Sequence, residues 1–262
     1  MEVTDALGRH VRLKEKPQRI VSLFPSQTHL LAHLGLDKEV AGITRFCKFP
    51  ETWKKEKTVI GGTKDLKIER IIRLQPGLIL ANKEENTKEQ IERLMDIAPV
   101  YVSDVMTWDD NLKFIRDVGL LTRKESEAGR LIDALQHRKQ SFEQKSLSRH
   151  TALYFIWKKP WMTAGKETFI HTMMHQAGFE NITPENRGRY PVWEAADLKK
   201  LRPAVVLMSS EPYPFKPEKD SDEIRSLFPY SKILFVKGEP FTWFGAYPLQ
   251  SFDYFETLKN QV

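Results

Sequence analysis

The chain has 262 residues, 40% of them hydrophobic and 29% charged, and 41 Lys and Arg against 35 Asp and Glu give a formal net charge of +6. That is enough chain for one large domain or two lobes of roughly 100–130 residues each, with a composition ordinary for a globular protein. The single cysteine, Cys47, excludes an internal disulfide and any Cys-x-x-Cys motif; the scattered basic residues point away from nucleic acid; and no run approaches the ~18 apolar residues of a membrane span.

The N-terminal stretch MEVTDALGRHVRLKEKPQRI lacks the apolar centre of a secretory signal, so the chain as written reads as cytoplasmic; a trimmed chain with a replacement methionine would look the same and be periplasmic. RIVSLF (19–24) reads as a buried strand that stops at Pro25, where Ser26 can cap a helix ending at Gly35. VAGIT (40–44) is a second strand. KIERIIRLQPGLILAN (67–82) is a helix broken at Pro76 that runs into the strand LILA, and TKEQIERLMDIA, VYVSD and WDDNLKFIRDVGLL continue as helix, strand and helix. Residues 122–147 are highly charged but carry an apolar stripe, Ala128, Leu131, Ile132, Leu135 and Phe142, so the spacing predicts one long helix of roughly 30 Å. After it, TALYFIW (151–157) is a strand and ETFIHTMMHQAG (167–178) a helix. ADLKKLRPAVVLMSS (196–210) is a helix, a proline and a strand; KILFVKG (232–238) is a strand and LQSFDYFETLKN (249–260) a closing helix.

The two halves share one grammar. Pro76 and Pro203 are equivalent, and at that offset Leu78 faces Val205 and Leu80 faces Leu207. This predicts an α/β protein of two similar Rossmann-like lobes with parallel sheets, residues 1–121 and 148–262, joined by the helix at 122–147.

In open α/β sheets, ligands bind beyond the carboxyl ends of strands. The residues expected there are rich in rings and sulfur: Ser26, Gln27, Phe46, Cys47, Asn82, Lys158, Trp161, Met162, Tyr213, Trp243, Phe244 and Tyr247. Such a set suits a large, flat, partly apolar ligand held by stacking in a cleft between the lobes. Within EPFTWFGAYP (239–248), Trp108 occupies the place in the first half that Trp243 occupies in the second. This gives Trp243 a structural share and leaves Phe244 and Tyr247 as the stronger ligand candidates. His29/His33 and His171/His175 have the i,i+4 spacing of metal ligands, but no third ligand is clearly placed beside either pair, so a packed or solvated helix edge is the simpler reading. No nucleophile elbow, Walker loop, HExxH or GxGxxG is present, so the chain reads as a binding protein and not an enzyme.

The stretches VTDALGRHVRL, KPQRIVSLFPSQTHLLAHLGLDKEVAGIT, KIERIIRLQPGLILA and MTAGKETFIHTMMHQAGFENI resemble the periplasmic binding proteins of cobalamin and ferric-siderophore ABC importers, the class III type with a helical backbone. The likeness runs from about residue 3 to the end, and PSQT, ANKEEN and SSEPYPF look closest to a branch without signal peptides. It implies a monomeric, non-enzymatic protein with no intrinsic cofactor, which holds a cobalamin, ferric siderophore or haem-like chelate for an ABC permease. It also implies one docking glutamate per lobe. Glu69 matches the first; Ala196 stands at the second, flanked by Glu194 and Asp197. Thr63 stands where cobalamin binders carry a bulky aromatic. The alternatives are a cytosolic chelate carrier or sensor with no permease and, in another class, a metal-dependent enzyme using the histidine pairs.

Overall fold

Short apolar runs build two larger sheets beside a two-stranded hairpin in the computed structural model, which describes residues 1–143 and 149–261. The chain opens with an antiparallel hairpin, β1 (Glu2–Thr4) and β2 (His10–Arg12). There follow β3 (Ile20–Ser22), α1 (Pro25–His33), β4 (Val40–Ile43), α2 (Trp53–Glu56), β5 (Thr58–Val59), α3 (Ile68–Arg73), β6 (Leu78–Asn82), α4 (Lys88–Met95) and β7 (Val100–Ser103). The five strands after the hairpin form a parallel sheet of order β5-β4-β3-β6-β7. Every residue of β3, β6 and β7 is buried, as expected of parallel strands covered on both faces. Pro25 starts α1, where its missing N–H costs nothing. Gly35, at φ +68°, takes the left-handed conformation that ends it.

Next come α5 (Trp108–Thr122) and α6 (Glu125–Glu143). The long helix expected at 122–147 therefore starts later, because Arg123 adopts φ +56° and breaks the ladder after Thr122; residues 144–147 of that expectation lie outside the described residues. The apolar stripe is real: Ala128, Leu131, Leu135 and Phe142 are buried.

The remaining elements are β8 (His150–Trp157), β9 (Trp161–Thr163), α7 (Phe169–Gln176), β10 (Phe179–Asn181), β11 (Val192–Trp193), α8 (Ala195–Leu198), β12 (Val205–Ser209), α9 (Pro217–Leu227), β13 (Lys232–Val236), α10 (Glu239–Thr242) and α11 (Pro248–Lys259). The second sheet is mixed. Strands β10, β8, β12 and β13 are parallel, while β9 and β11 add an antiparallel edge in the order β11-β9-β8-β12-β13. The eight-residue β8 shares one side between two partners: His150–Ala152 pair with β10, and Phe155 and Trp157 pair with β9. The repeat read from the sequence is visible here. Leu78 opens β6 and Val205 opens β12; each strand follows a short helix and a proline, and each has a parallel neighbour on both sides.

The chain divides into two compact units. The first comprises Met1–Val105, Asp109–Leu135 and Trp243–Tyr247, and the second Met106–Trp108, Gln136–Thr242 and Pro248–Val262. The first has a core centred on Val21, Leu23, Ile71, Ile79 and Val102; the second on Leu153, Phe155, Trp161, Val206 and Met208. Among the described residues, no helix is long and apolar enough to cross a membrane.

Candidate functional site

In the first unit, the loops after β4, β5 and β6 leave the carboxyl edge of the parallel sheet. Phe46 is 49% exposed, and the Arg45 guanidinium lies 5.1 Å from the centre of its ring. Arg45 is held by Asp65 at 2.9 Å, and Asp65 also accepts from the Gly62 amide at 3.1 Å. A Cβ on Gly62 would lie 2.8 Å from Arg45 Nη2 and 3.0 Å from Phe46 Cε2, so the phenyl and guanidinium groups rest directly on a bare backbone. Asn86 donates to the Thr63 carbonyl at 2.8 Å and to the Leu23 carbonyl at 3.5 Å, bracing the β5 loop against the β3 loop. Phe46 is thus a fixed, half-exposed aromatic platform.

Of the polar residues expected to touch a ligand, Gln27 and Asn82 make hydrogen bonds inside the fold, while the Ser26 hydroxyl and the Gln27 side-chain oxygen are buried without a hydrogen-bond partner. Gln27 donates to the Ala81 carbonyl at 2.7 Å and to Ser103 Oγ at 3.0 Å. The Asn82 side-chain oxygen accepts from the Glu84 and Glu85 amides, both at 3.1 Å, and shapes the loop after β6. Ser26 is fully buried. Cys47 is buried with its Sγ 3.0 Å from Thr28 Oγ1; burial pushes the thiol pKa up against the hydrogen bonds from Thr28 and Thr44, so the protonated form, a poor metal ligand, is favoured.

The segment Trp243–Tyr247 also belongs to this unit. Phe244 is 4% exposed; its ring stacks on Phe24 at 5.7 Å and meets Phe114 edge-on at 5.2 Å. Gly245, at φ +78°, accepts the Asn111 amide at 3.3 Å and donates its own N–H to the Asn111 side-chain oxygen. Trp243 is buried and meets Phe49, His29 and Tyr247 at 6.0, 6.2 and 5.2 Å. Of this aromatic layer only Phe49 is substantially exposed, while Tyr247 is half-buried. Burial, with the charge of His33, pushes the His29 pKa down to about 4, so its imidazole is neutral.

In the second unit the antiparallel edge carries exposed apolar side chains. Trp157 stands opposite Met162 on β9, and Met162 stands opposite Val192 on β11. Trp157 is 40% and Val192 51% exposed, with Met162 half-buried between them. Residues directly paired across strands share a face, so the three form one ladder. Trp161, Thr163 and Trp193 alternate to the other face and are buried, with Phe155 5.5 Å from Trp161. Regular alternation would put Trp157 on the buried side with Phe155. A bulge between them, where Phe155 pairs with Thr163 and Trp157 with Met162, carries Trp157 to the outside. Trp157 leans edge-on against the half-buried Tyr213 at 5.8 Å, and the Tyr213 amide donates to the Ile156 carbonyl in the bulge at 3.2 Å.

Trp161 and Met162, expected together as ligand contacts, are separated by strand alternation. Trp157, Val192 and Phe49 are exposed apolar residues that sequence reasoning missed. Val192 was legible as the alternate partner of Trp193, but the bulge leaves no mark in a single sequence. The Lys158 ammonium is held 2.7 Å from Asp220 and 2.7 Å from Glu223, with its side chain 7% exposed. Burial opposes its charge, but the hydrogen bonds it donates to Asp220 and Glu223 win and raise its pKa.

Glu69 is exposed in the first turn of α3; Glu194 is exposed just before α8, and Asp197 pairs with Lys200 at 2.7 Å. The histidine pairs lie on α1 and α7, and among the described residues no group of three or more His, Cys, Asp or Glu is arranged to hold a metal ion. A 540 Å³ cavity lined by Arg9, Arg12, Met95 and Val100 sits at the amino end of β7, away from the strand ends described above.

A family model described as periplasmic binding protein matches residues 20–226. An uncharacterized ABC transporter substrate-binding lipoprotein of Bacillus subtilis is 27% identical over 215 residues, 78% of this chain and 68% of its own length. A vitamin B12-binding protein of Pectobacterium atrosepticum is 25% identical over 200 residues, 73% of this chain and 71% of its own. The crystal structure of a possible iron-binding (periplasmic solute-binding) protein from Staphylococcus epidermidis superposes with a TM-score of 0.77 at 23% identity, covering 93% of this chain and 99% of that one.

Proposed function

Because the chain belongs to the periplasmic binding protein family, we propose that it binds a metal chelate, of the corrinoid, ferric-siderophore or haem-like kind, as the substrate-binding component of an ABC importer. The observation that carries this reading is the exposed ladder of Trp157, Met162 and Val192. Isolated apolar side chains on a surface need no explanation, but an aligned indole, thioether and isopropyl group beside the end of a central strand do. Within the first unit the exposed Phe46, beside the Arg45 guanidinium, is a separate candidate contact. At about 25 cal/mol per Å² of apolar area, covering a macrocycle face with such groups favours binding by several kcal/mol before ordering costs. Of the residues expected from the sequence, Met162 and Tyr213 retain exposed surface in the second unit, where Trp157 and Val192 join them, and Phe46 does so in the first, where Phe49 joins it. Ser26, Gln27, Asn82, Cys47, Lys158, Trp161, Trp243 and Phe244 act as their support. Tyr247 is half-buried within the Trp243 layer.

Titration of the purified protein with cyanocobalamin, haemin and ferrichrome tests this through tryptophan fluorescence. Quenching that is lost in Trp157→Phe supports it, and silence across the panel sinks it. The docking proposal is that Glu69 and Glu194, with Asp197, meet permease arginines. A second reading, a carrier with no permease, is favoured by the exposed Ala196 at the second docking position. Uptake of labelled chelate by the native host distinguishes them: Glu69→Arg abolishes uptake under the first reading and leaves it unchanged under the second.

A further inference from the structure

We propose that Lys158, Asp220 and Glu223 form a positioning bracket that holds the β8 bulge and so presents Trp157 to the ligand; this rests on the chelate-binding reading above. Lys158 follows Trp157 directly in the turn between β8 and β9. It ties that turn to α9, with its ammonium 2.7 Å from Asp220 Oδ1 and 2.7 Å from Glu223 Oε2. Asp220 is fully buried, and its second oxygen accepts the Lys216 amide at 2.9 Å, which fixes the carboxylate to the start of α9. The Lys158 ammonium also lies 5.6 Å from the centre of the Trp161 ring, which stacks parallel to Phe215 at 6.3 Å. Phe215 in turn contacts Tyr213 at 4.6 Å, and Tyr213 contacts Trp157. The bulge is therefore held from both sides: by ions below the turn, and by a chain of rings that returns to the indole itself.

The bulge leaves Ile156 without a partner on β9, so a single pair, Trp157 with Met162, holds the register beyond it. Had Trp157 alternated regularly it would join Phe155 on the buried face. The bracket supplies what the ladder lacks. A charge pair with one fully buried carboxylate has few alternative geometries, because displacing the ammonium leaves that carboxylate with only the Lys216 amide and the weaker charge of Lys219. Lys158 is thus a positioning residue, acting on the ligand through its neighbour.

The test replaces the pair together, Lys158→Met with Asp220→Asn, so that no buried charge is left uncompensated. The protein carries 5-fluorotryptophan, and Trp157→Phe assigns the Trp157 line in the fluorine spectrum. The expected result is a shifted or split Trp157 line in the double variant and a native one in Lys158→Arg. Affinity for whichever of cyanocobalamin, haemin or ferrichrome binds the wild-type protein falls about tenfold in the double variant. That loss disappears in a Trp157→Ala background, because the bracket then has nothing to present. A Trp157 line unchanged in position and width, or an equal affinity loss with and without Trp157, overturns the proposal. If none of the three chelates binds the wild-type protein, the proposed function fails, and the fluorine spectrum still decides the bracket.

Discussion

Phe244 separates a core role from a ligand role most sharply. Its ring is 4% exposed, stacked on Phe24 and edge-on to Phe114. Truncation to alanine removes a buried aromatic and leaves a cavity, which costs about 3–5 kcal/mol. For a chain of this size each kcal/mol moves the thermal midpoint by about 2–4 °C, so Phe244→Ala lowers it by roughly 6–20 °C. Because Trp243–Tyr247 belongs to the first unit, that unit's transition moves if two are resolved. Circular dichroism melts give the midpoint, and titration well below the transition gives chelate affinity, expected to change less than about threefold. Phe46→Ala, at a 49% exposed ring, has the reverse signature: a small change in midpoint and a clear loss of affinity. A midpoint for Phe244→Ala within about 2 °C of wild type, with an affinity loss above tenfold, would refute the reasoning and return Phe244 to the ligand surface.

Trp161→Ala costs about 3–5 kcal/mol of stability, whereas Met162→Ala leaves the midpoint within a few degrees and weakens chelate binding; equal effects on the melt from both would contradict the alternation of β9. Gly62→Ala forces its Cβ against Arg45, Phe46 and Asp65 and is expected to lower affinity about as much as Phe46→Ala, by at least ~3-fold in the same titration. The His29 pKa is pushed from 6.5 to about 4 chiefly by burial. The unfolded chain therefore binds the extra proton first, and stability, full above pH 6.5, is lost as pH falls toward 4, by about 3 kcal/mol at most. Urea titrations across that range, compared with His29→Gln, check this; an equally steep acid loss in the variant would assign the effect to other groups.

The periodicities that could be read locally survive into the fold. The helix–proline–strand repeat around Pro76 and Pro203 becomes α3–β6 and α8–β12 because an apolar run after a proline has few options besides a buried strand. The candidate site was legible only in kind. Position beyond a strand end singles out Phe46, Met162 and Tyr213, but it does not tell which of their neighbours turn inward. Polar residues near strand ends turn inward: Gln27 donates to the backbone of β6, and Asn82 accepts from the loop that follows it. Trp157 escaped because its exposure depends on the bulge. Lys158 reads as a ligand contact in the sequence because its carboxylate partners lie far along the chain in α9.

The chain returns late to a unit it began early. Phe244 and Trp243 fill space beside α1 and α5, yet they are made after nearly everything else. At a synthesis rate of about 5–20 residues per second, the residues through Leu135 wait on the order of 10 s for the aromatic segment that completes their packing. During that interval Phe24 and Phe114 lack their partner ring. A fragment ending after α6 contains every strand of the first sheet but lacks the aromatic segment Trp243–Tyr247, so no single cut in the backbone separates the two units.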